Sequence, residues 1–142
     1  MSLITRVCLS TGARWREAVR LKPQHIRNGQ VDFTNTKSGK NRSIPISQDL
    51  FTKLEEHMKQ HCRFFDCIKS FRKYLKSTSI DLPRGQSSHV LRHSFASHFI
   101  MNGGNTLTLQ KILGRSSMTM RYAHLAPEYL QEASKLNPLV KI

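Results

Sequence analysis

The sequence is poor in acidic residues. Nine Asp and Glu stand against 23 Lys and Arg, so the formal net charge is +14 and the isoelectric point is about 10.4. This excess of positive charge predicts a polyanionic partner, most often a nucleic acid. An acidic membrane surface is the alternative, but the chain lacks long apolar runs. It also lacks a signal-peptide pattern, because Arg6 interrupts the first apolar stretch, and a cytoplasmic protein is therefore expected.

Cysteine is also scarce, which bears on metal sites and disulfides. The three cysteines are Cys8, Cys62 and Cys67, an odd number without the two close pairs that are typical of structural zinc sites. We interpret them as reduced and mostly packed. His57 and His61 lie close to two of these cysteines in the sequence, but their spacing matches no common ligand pattern. No metal site is expected.

The length of 142 residues, without internal repeats or low-complexity segments, predicts one domain. Its hydrophobic pattern predicts a mainly helical fold with one small antiparallel β-hairpin. The hairpin strands carry Val31 and Phe33, then Ile44 and Ile46, and 77–88 is a predicted loop. The predicted helices cover 3–10 and about 13–21, then one with Leu50, Leu54 and Met58, one with Phe64, Ile68, Phe71 and Leu75, one from His89 with a buried stripe of Leu91, Phe95 and Phe99, one capped by Thr106 that closes at Gly114, and one over 127–136.

One segment places three basic side chains on the same helix face. His89, Arg92 and His93 stand at positions i, i+3 and i+4 near the start of a predicted helix. Free backbone N–H groups and the positive end of the helix dipole favour an anion there, and the guanidinium of Arg92 can add a bidentate grip. The pattern predicts a phosphate site, and a basic face exposed to solvent is the alternative.

A second basic group follows a glycine turn. The run Thr-Gly-Ala-Arg over 11–14 places Arg14 at a helix start, and Glu17 lies one turn later, where its carboxylate could orient Arg14. Taken alone, Glu17 is better explained as a first-turn acid that complements the helix dipole, or as an ordinary ion pair.

In combination, these residues resemble the conserved boxes of tyrosine recombinases of the phage integrase type. The run 11–14 with Glu17 is similar to the first box. His89, Arg92 and His93, followed by Phe-Ala, are similar to the second. Leu-Gly-Arg over 113–115 and Thr-Met-Arg-Tyr-Ala-His over 119–124 resemble the closing segment that carries the nucleophile. The boxes keep the family's order over nearly the whole chain, and 121–127 most resembles integrases of temperate phages.

The resemblance implies the tyrosine recombinase catalytic-domain fold and strand transfer through a 3′-phosphotyrosyl bond to Tyr122. Arg14 and Arg92 would hold the nonbridging oxygens of the scissile phosphate and stabilise the charge of the transition state. A tyrosine ionises near pH 10, so His89 together with the arginines would help Tyr122 to react, with Glu17 and His93 in support. Because the phosphotyrosyl link conserves the bond energy, neither a metal nor a nucleotide cofactor is expected.

Lysines on the hairpin turn add the remaining predicted role. Lys37 matches the family's lysine that protonates the leaving 5′-hydroxyl, and Lys40 is the local alternative. An exposed turn that contacts the DNA backbone is the other interpretation of both lysines. Tyr74 and Tyr129 are poorer candidates for the nucleophile, and we expect both to serve in packing.

The sequence departs from the family pattern around its closing segment. Arg115 stands where the family usually has a histidine or tryptophan, so a contact to the phosphate is altered. Tyr122 follows Arg115 by seven residues, a shorter interval than relatives have, and activity could be impaired. The chain begins 13 residues before Arg14, so we expect it to lack the earliest helix of the catalytic domain and the N-terminal DNA-clamping domain.

The expected partners are double-stranded attachment-site DNA and further copies of the chain. Family behaviour implies a tetramer on two duplexes in a bacterial host cell, and the helix over 127–136 either docks on a neighbouring protomer or packs on its own domain. Two other functions stay open: a DNA-binding remnant in which Arg115 and the short approach to Tyr122 prevent cleavage, and a topoisomerase of the related IB type.

Overall fold

The computed structural model describes residues 2–34, 36, 39–114 and 119–126. The expected fold, mainly helical with a small antiparallel sheet, is confirmed. The predicted helix over 127–136 and Tyr129 lie outside the described residues. The elements are α1 (Leu3–Thr11), α2 (Trp15–Val19), β1 (Ile26–Arg27), β2 (Gln30–Phe33), β3 (Arg42–Pro45), α3 (Gln48–His61), α4 (Ile68–Lys76), α5 (Val90–Met101) and α6 (Thr106–Leu113), with 3-10 helices at Pro23–His25 and Thr119–Leu125.

Gly12 ends α1 and brings three elements together. Its backbone is left-handed, with φ at 65°, and its N–H donates to the carbonyl oxygen of Cys8. A Cβ atom at this position would lie 2.6 Å from Cδ1 of Phe95 and 2.7 Å from Cδ2 of Leu113. Both the backbone conformation and the close packing of α5 and α6 therefore require glycine here.

The sheet is an antiparallel meander in the order β1-β2-β3. Val31 pairs with Ile44 and Phe33 pairs with Arg42 across β2 and β3, as the alternation of the hairpin predicts. The strand β1 was not predicted, because two residues are too short to show alternation. Asp32 is buried because Ser43 and Arg27 donate hydrogen bonds to its carboxylate at 2.6 and 2.8 Å.

Two clusters of buried side chains form the core. The larger cluster joins α1, α2, the sheet and α3, and the smaller consists of Ala96, Ile100, Leu109, Leu113 and Tyr122. Ile112 packs against both clusters. The indole of Trp15 lies in the larger cluster and its Nε1 donates to Asp66 at 2.9 Å, which fixes α2 to the segment before α4. The site described next lies where the two clusters meet.

The helix α4 packs on the core through a face that is only partly buried. None of its residues is fully buried, and Phe64, expected on this helix, precedes it. The apolar face covers the edge of the core, where the ring of Phe71 stacks on that of Trp15 at 4.9 Å between centroids. Tyr74, expected to pack, is 70% exposed.

The buried face of α5 also differs from the prediction. Leu91 is buried as expected, but Ala96 and Ile100 complete the stripe together with Arg92, while Phe95 and Phe99 are half-buried. Arg92 can take a core position because its charge has hydrogen-bond partners there, as shown below. The cap of α6 was misplaced by one residue: the side chain of Asn105, rather than Thr106, accepts the N–H groups of Leu107 and Thr108.

Candidate active site

Tyr122 lies within the second core cluster, on the 3-10 helix Thr119–Leu125. Its side chain is 7% exposed, and its hydroxyl is hydrogen-bonded to Nδ1 of His93 on α5. Burial raises the pKa of Tyr122, and the positive charges of Arg92 and Arg121 offset this rise only in part. The hydroxyl is therefore protonated at neutral pH and needs an acceptor for its proton before it can attack.

His93 is suited to be that acceptor. Burial lowers the pKa of His93, and the neighbouring His89, Arg121 and Arg92 lower it further. The imidazole is therefore neutral at pH 7, and a neutral ring that carries its proton on Nε2 has a free lone pair on Nδ1. His89, the histidine predicted to assist Tyr122, is exposed at the start of α5, and no hydrogen bond joins it to Tyr122.

Arg92 is 2% exposed and connects distant parts of the chain. Its Nη1 donates to the carbonyl oxygen of Gly12 at 2.8 Å and its Nη2 donates to that of Leu113 at 2.6 Å. Burial, then the charge of Arg14, lowers the pKa of Arg92 to about 10, so the guanidinium is still charged at neutral pH. The bidentate grip on phosphate predicted for Arg92 is modified, because one N–H of each Nη is already used.

Arg14 and Glu17 are in contact, as their spacing predicts. Arg14 is the residue before α2. Its backbone N–H donates to Oε2 of Glu17 at 2.8 Å, and its Nη1 donates to Oε1 at 3.2 Å. Burial opposes the ionised form of Glu17, but hydrogen bonds and charge from Arg42 and Arg14 overcome it and lower the pKa of Glu17. Glu17 is therefore ionised between the two arginines.

Arg42 is the site residue that sequence reasoning missed. It lies on β3, is 9% exposed, and its Nη2 donates to Oε2 of Glu17 at 2.7 Å. One signal was present in the sequence: Arg42 alternates with Ile44 on the inner face of the strand, and an arginine in that position needs an acidic partner. The charge of Arg42 contributes to the lowered pKa of Arg92, and Arg42 shares the carboxylate of Glu17 with Arg14.

The start of α5 offers fewer free N–H groups than expected. The N–H groups of His89 and Val90 both donate to the carbonyl oxygen of Gln86 at 2.9 Å. The positive charge for an anion therefore comes mainly from the arginine side chains. A cavity of about 750 Å³ lies between β3 and α6, lined in part by Arg42, Phe95 and Lys111, with Lys40 also along it.

Lys37 and Arg115 lie outside the described residues, whereas Lys40 is described and exposed.

Among the described side chains, His, Cys, Asp and Glu form no group of three that could hold a metal ion. The cysteines are free, Cys8 buried and Cys67 half-buried. Cys62, which follows the last turn of α3 in a left-handed conformation, is exposed.

Comparison with known proteins places the chain in a family. The phage integrase family matches residues 1–129. The chain belongs to this family. It is 51% identical to the integrase of Escherichia phage 186 over 144 residues, which cover 100% of this chain and 43% of that protein. It is 31% identical over 141 residues to the tyrosine recombinase XerA of Saccharolobus solfataricus, covering 91% of this chain and 47% of that protein.

A solved structure agrees with this family assignment. The catalytic domain of bacteriophage HP1 integrase superposes on the chain with a TM-score of 0.88 and 54% identity, over 96% of this chain and 82% of that one. The phage integrase family thus accounts for the fold. The chain spans less than half the length of the phage 186 and XerA relatives. In the described part of this phage integrase-family chain, none of the helices is both long and apolar enough to cross a lipid bilayer.

Proposed function

We propose that this chain is the catalytic domain of a site-specific DNA recombinase, which cleaves and rejoins attachment-site DNA through Tyr122. The observation that carries the proposal is the hydrogen bond between the Tyr122 hydroxyl and His93, beside the positive charges of Arg14 and Arg92. A tyrosine with a neutral acceptor for its proton, next to charges that bind phosphate, is the arrangement that transfer of a phosphodiester to tyrosine needs. The integrases among its relatives support the same function.

The chemical step follows from these positions. The Tyr122 oxygen attacks the scissile phosphorus while its proton passes to Nδ1 of His93. A bond forms between this oxygen and phosphorus, and the bond to the 5′-oxygen breaks. Arg14 and the free N–H groups of Arg92 would stabilise the negative charge that develops on the nonbridging oxygens. The 5′-oxygen takes a proton from Lys37 or Lys40, and a 5′-hydroxyl of a second strand later reverses the step.

His93 takes the assisting role that the family resemblance gives to His89. His89 is exposed beside the site, where it can contact a phosphate of bound DNA. Arg115 and Lys37 keep their proposed contacts to the phosphate and to the leaving oxygen. We further propose that the working assembly is a tetramer on two duplexes in a bacterial cell, with an N-terminal DNA-clamping domain supplied by a longer protein.

A covalent adduct tests the function directly. The chain is incubated with a pool of nicked duplexes of randomised central sequence, denatured, and separated on a gel. We expect a denaturation-resistant protein–DNA adduct with the wild type and none with Tyr122→Phe. Tyr74→Phe is the matched control, because Tyr74 lies exposed on α4, and its adduct should equal that of the wild type.

The other outcomes separate the alternatives. Binding of the duplex pool without any adduct would identify a DNA-binding remnant and overturn the proposal. Relaxation of supercoiled plasmid without sequence dependence would favour a topoisomerase of the IB type. Sequencing of the captured duplexes would show whether cleavage selects a defined site, as recombination at attachment DNA requires.

A further inference from the structure

Arg42 pairs with Glu17, which also binds Arg14, but it has no role in the mechanism above. Its side chain is 6% exposed, and its guanidinium lies over the ring of Phe33 at 4.8 Å from the ring centroid. On its other side it donates to both carboxylate oxygens of Glu17, Nη2 to Oε2 at 2.7 Å and Nη1 to Oε1 at 3.4 Å. The residue is thus fixed between the sheet and α2.

The carboxylate of Glu17 is divided between two arginines. Each oxygen accepts one hydrogen bond from Arg42 and one from Arg14. The shorter side-chain bond, at 2.7 Å, comes from Arg42, whereas the guanidinium of Arg14 contributes a single bond at 3.2 Å. Arg42 therefore satisfies most of the side-chain bonding of Glu17, and most N–H groups of the Arg14 guanidinium are left for another anion.

This division matters because a carboxylate and a phosphate compete for the same guanidinium. A buried carboxylate must be paired, since an unpaired one carries a large desolvation penalty. If Arg42 were absent, Glu17 would draw the guanidinium of Arg14 into a full ion pair. The charge that Arg14 offers to a phosphate would then be neutralised, and its side chain would turn towards α2.

We propose that Arg42 is a positioning residue, which binds Glu17 and thereby keeps Arg14 available for the scissile phosphate. The proposal rests on the proposed function only in that Arg14 is a phosphate ligand. It predicts that the effect of Arg42 depends entirely on Glu17. If Glu17 is neutral, Arg14 has no competing anion and Arg42 is dispensable for phosphate binding.

The test is a double-mutant cycle with inorganic phosphate as the probe. Phosphate is titrated into wild type, Arg42→Gln, Glu17→Gln and the double variant, and binding is followed through the Nε–Hε resonances of arginine by NMR. We expect Arg42→Gln to weaken phosphate binding about tenfold, the factor that corresponds to one charge-assisted hydrogen bond. In the Glu17→Gln background the same change should alter affinity by less than about twofold, near the limit of additivity for independent sites.

Matched variants separate this role from general effects of charge or folding. Arg27→Gln removes an arginine that pairs with Asp32 at 2.8 Å on the same sheet but is 67% exposed, and phosphate binding should not change. Arg42→Lys keeps the charge but cannot contact both oxygens of Glu17, so it should give an intermediate affinity. Thermal unfolding tests whether each variant is folded. If Arg42→Gln does not fold, Arg42→Lys replaces it in the double-mutant cycle.

The proposal is overturned if Arg42→Gln weakens phosphate binding equally in both backgrounds, if it leaves the affinity unchanged, or if the wild type does not bind phosphate. Phosphate binding requires neither Tyr122 nor cleavage. Absence of a covalent adduct would therefore refute the proposed recombination while the cycle could still confirm the role of Arg42. Conversely, an adduct together with an additive cycle would refute only the positioning role.

Discussion

Arg92 donates a hydrogen bond to the carbonyl oxygen of Gly12 at 2.8 Å, across 80 positions of the sequence. With the second bond, to Leu113, it closes the turn after α1 and the end of α6 onto α5. Arg92, which is predicted to bind phosphate, is therefore also a structural crosslink. Arg14, the other nominated arginine, has no comparable set of backbone partners among the described residues.

This difference predicts that substitution of either arginine abolishes activity, but that substitution of Arg92 costs more stability than substitution of Arg14. Arg92→Met leaves two buried carbonyl oxygens without donors and should lower the free energy of unfolding by about 3 kcal/mol. Arg14→Met removes one partly buried ion pair and should lower it by about 1 kcal/mol. Both variants should lose adduct formation. Urea denaturation with the adduct assay measures both quantities, and equal stability losses would contradict the crosslinking role of Arg92.

Gly12 and Gly29 form a matched pair for the packing at the site. Gly12→Ala should cost about 3 kcal/mol, because the left-handed backbone is strained and the new Cβ collides with Phe95 and Leu113. Gly29→Ala has a similar φ of 72° but no atom within 4 Å, so it should cost only about 1 kcal/mol of strain. Thermal or urea unfolding decides, and equal losses would show that the contacts with Phe95 and Leu113 are unimportant.

The pH dependence of adduct formation should report on His93. Because the pKa of His93 is lowered, the imidazole becomes a competent acceptor above a pH that lies below its ordinary value of about 6.5. The rate should rise with pH through this lowered pKa and then level off. His93→Asn should lower the rate about a hundredfold, the smaller end of the effect of a general base, and remove this rise.

The control for this profile is the neighbouring histidine. His89→Asn should retain the rise of rate with pH, since no hydrogen bond joins His89 to Tyr122. A rise that disappears in His89→Asn but persists in His93→Asn would assign the acceptor role to His89. Stability gives an independent check of sign. Between the lowered pKa and about 6.5 the unfolded chain binds more protons, so wild type should lose stability as pH falls through this range, more than His93→Asn does.

The cysteines should differ in reactivity. Burial, reinforced by the charge of Glu17, raises the pKa of Cys8 to about 12, so its thiol should not react with iodoacetamide at pH 8 in the folded protein. Cys62 is exposed and should react first. Mass spectrometry of the alkylated peptides, with a sample unfolded in urea as reference, measures this. Alkylation of Cys8 at the rate of Cys62 would indicate local opening of α1.

Much of the site could be predicted from local spacing. The contact of Arg14 with Glu17 follows from a separation of one helical turn, and the helix start at His89 follows from the loop before it. Spacing alone could not decide between His89 and His93. His89 lies three positions before Arg92 and His93 one position after it, so both fall near the start of α5. That choice depends on how the chain approaches Tyr122 from α6, which is a matter of tertiary packing.

The missed features share a physical cause. Arg42 meets Glu17 across 25 positions and Asp66 meets Trp15 across 51, so no local pattern pairs them. Similarly, the periodicity of α4 marks an apolar face but does not show how much of that face the fold covers. The ring of Phe71 stacks on that of Trp15, whereas Tyr74 is exposed. Local patterns predict elements, and long-range partners decide burial.

The bonds that Arg92 makes to Gly12 and Leu113 also have a consequence for cooperativity. Detachment of α6 would break one of these bonds and expose Gly12, and it would also dissolve the cluster that holds Tyr122. The proposed phosphate ligand Arg92 and the proposed nucleophile Tyr122 would then lose their positions in the same opening event. Partial unfolding should therefore yield inactive molecules rather than molecules of intermediate activity, and protection of the Leu113 region from hydrogen exchange should parallel the active fraction.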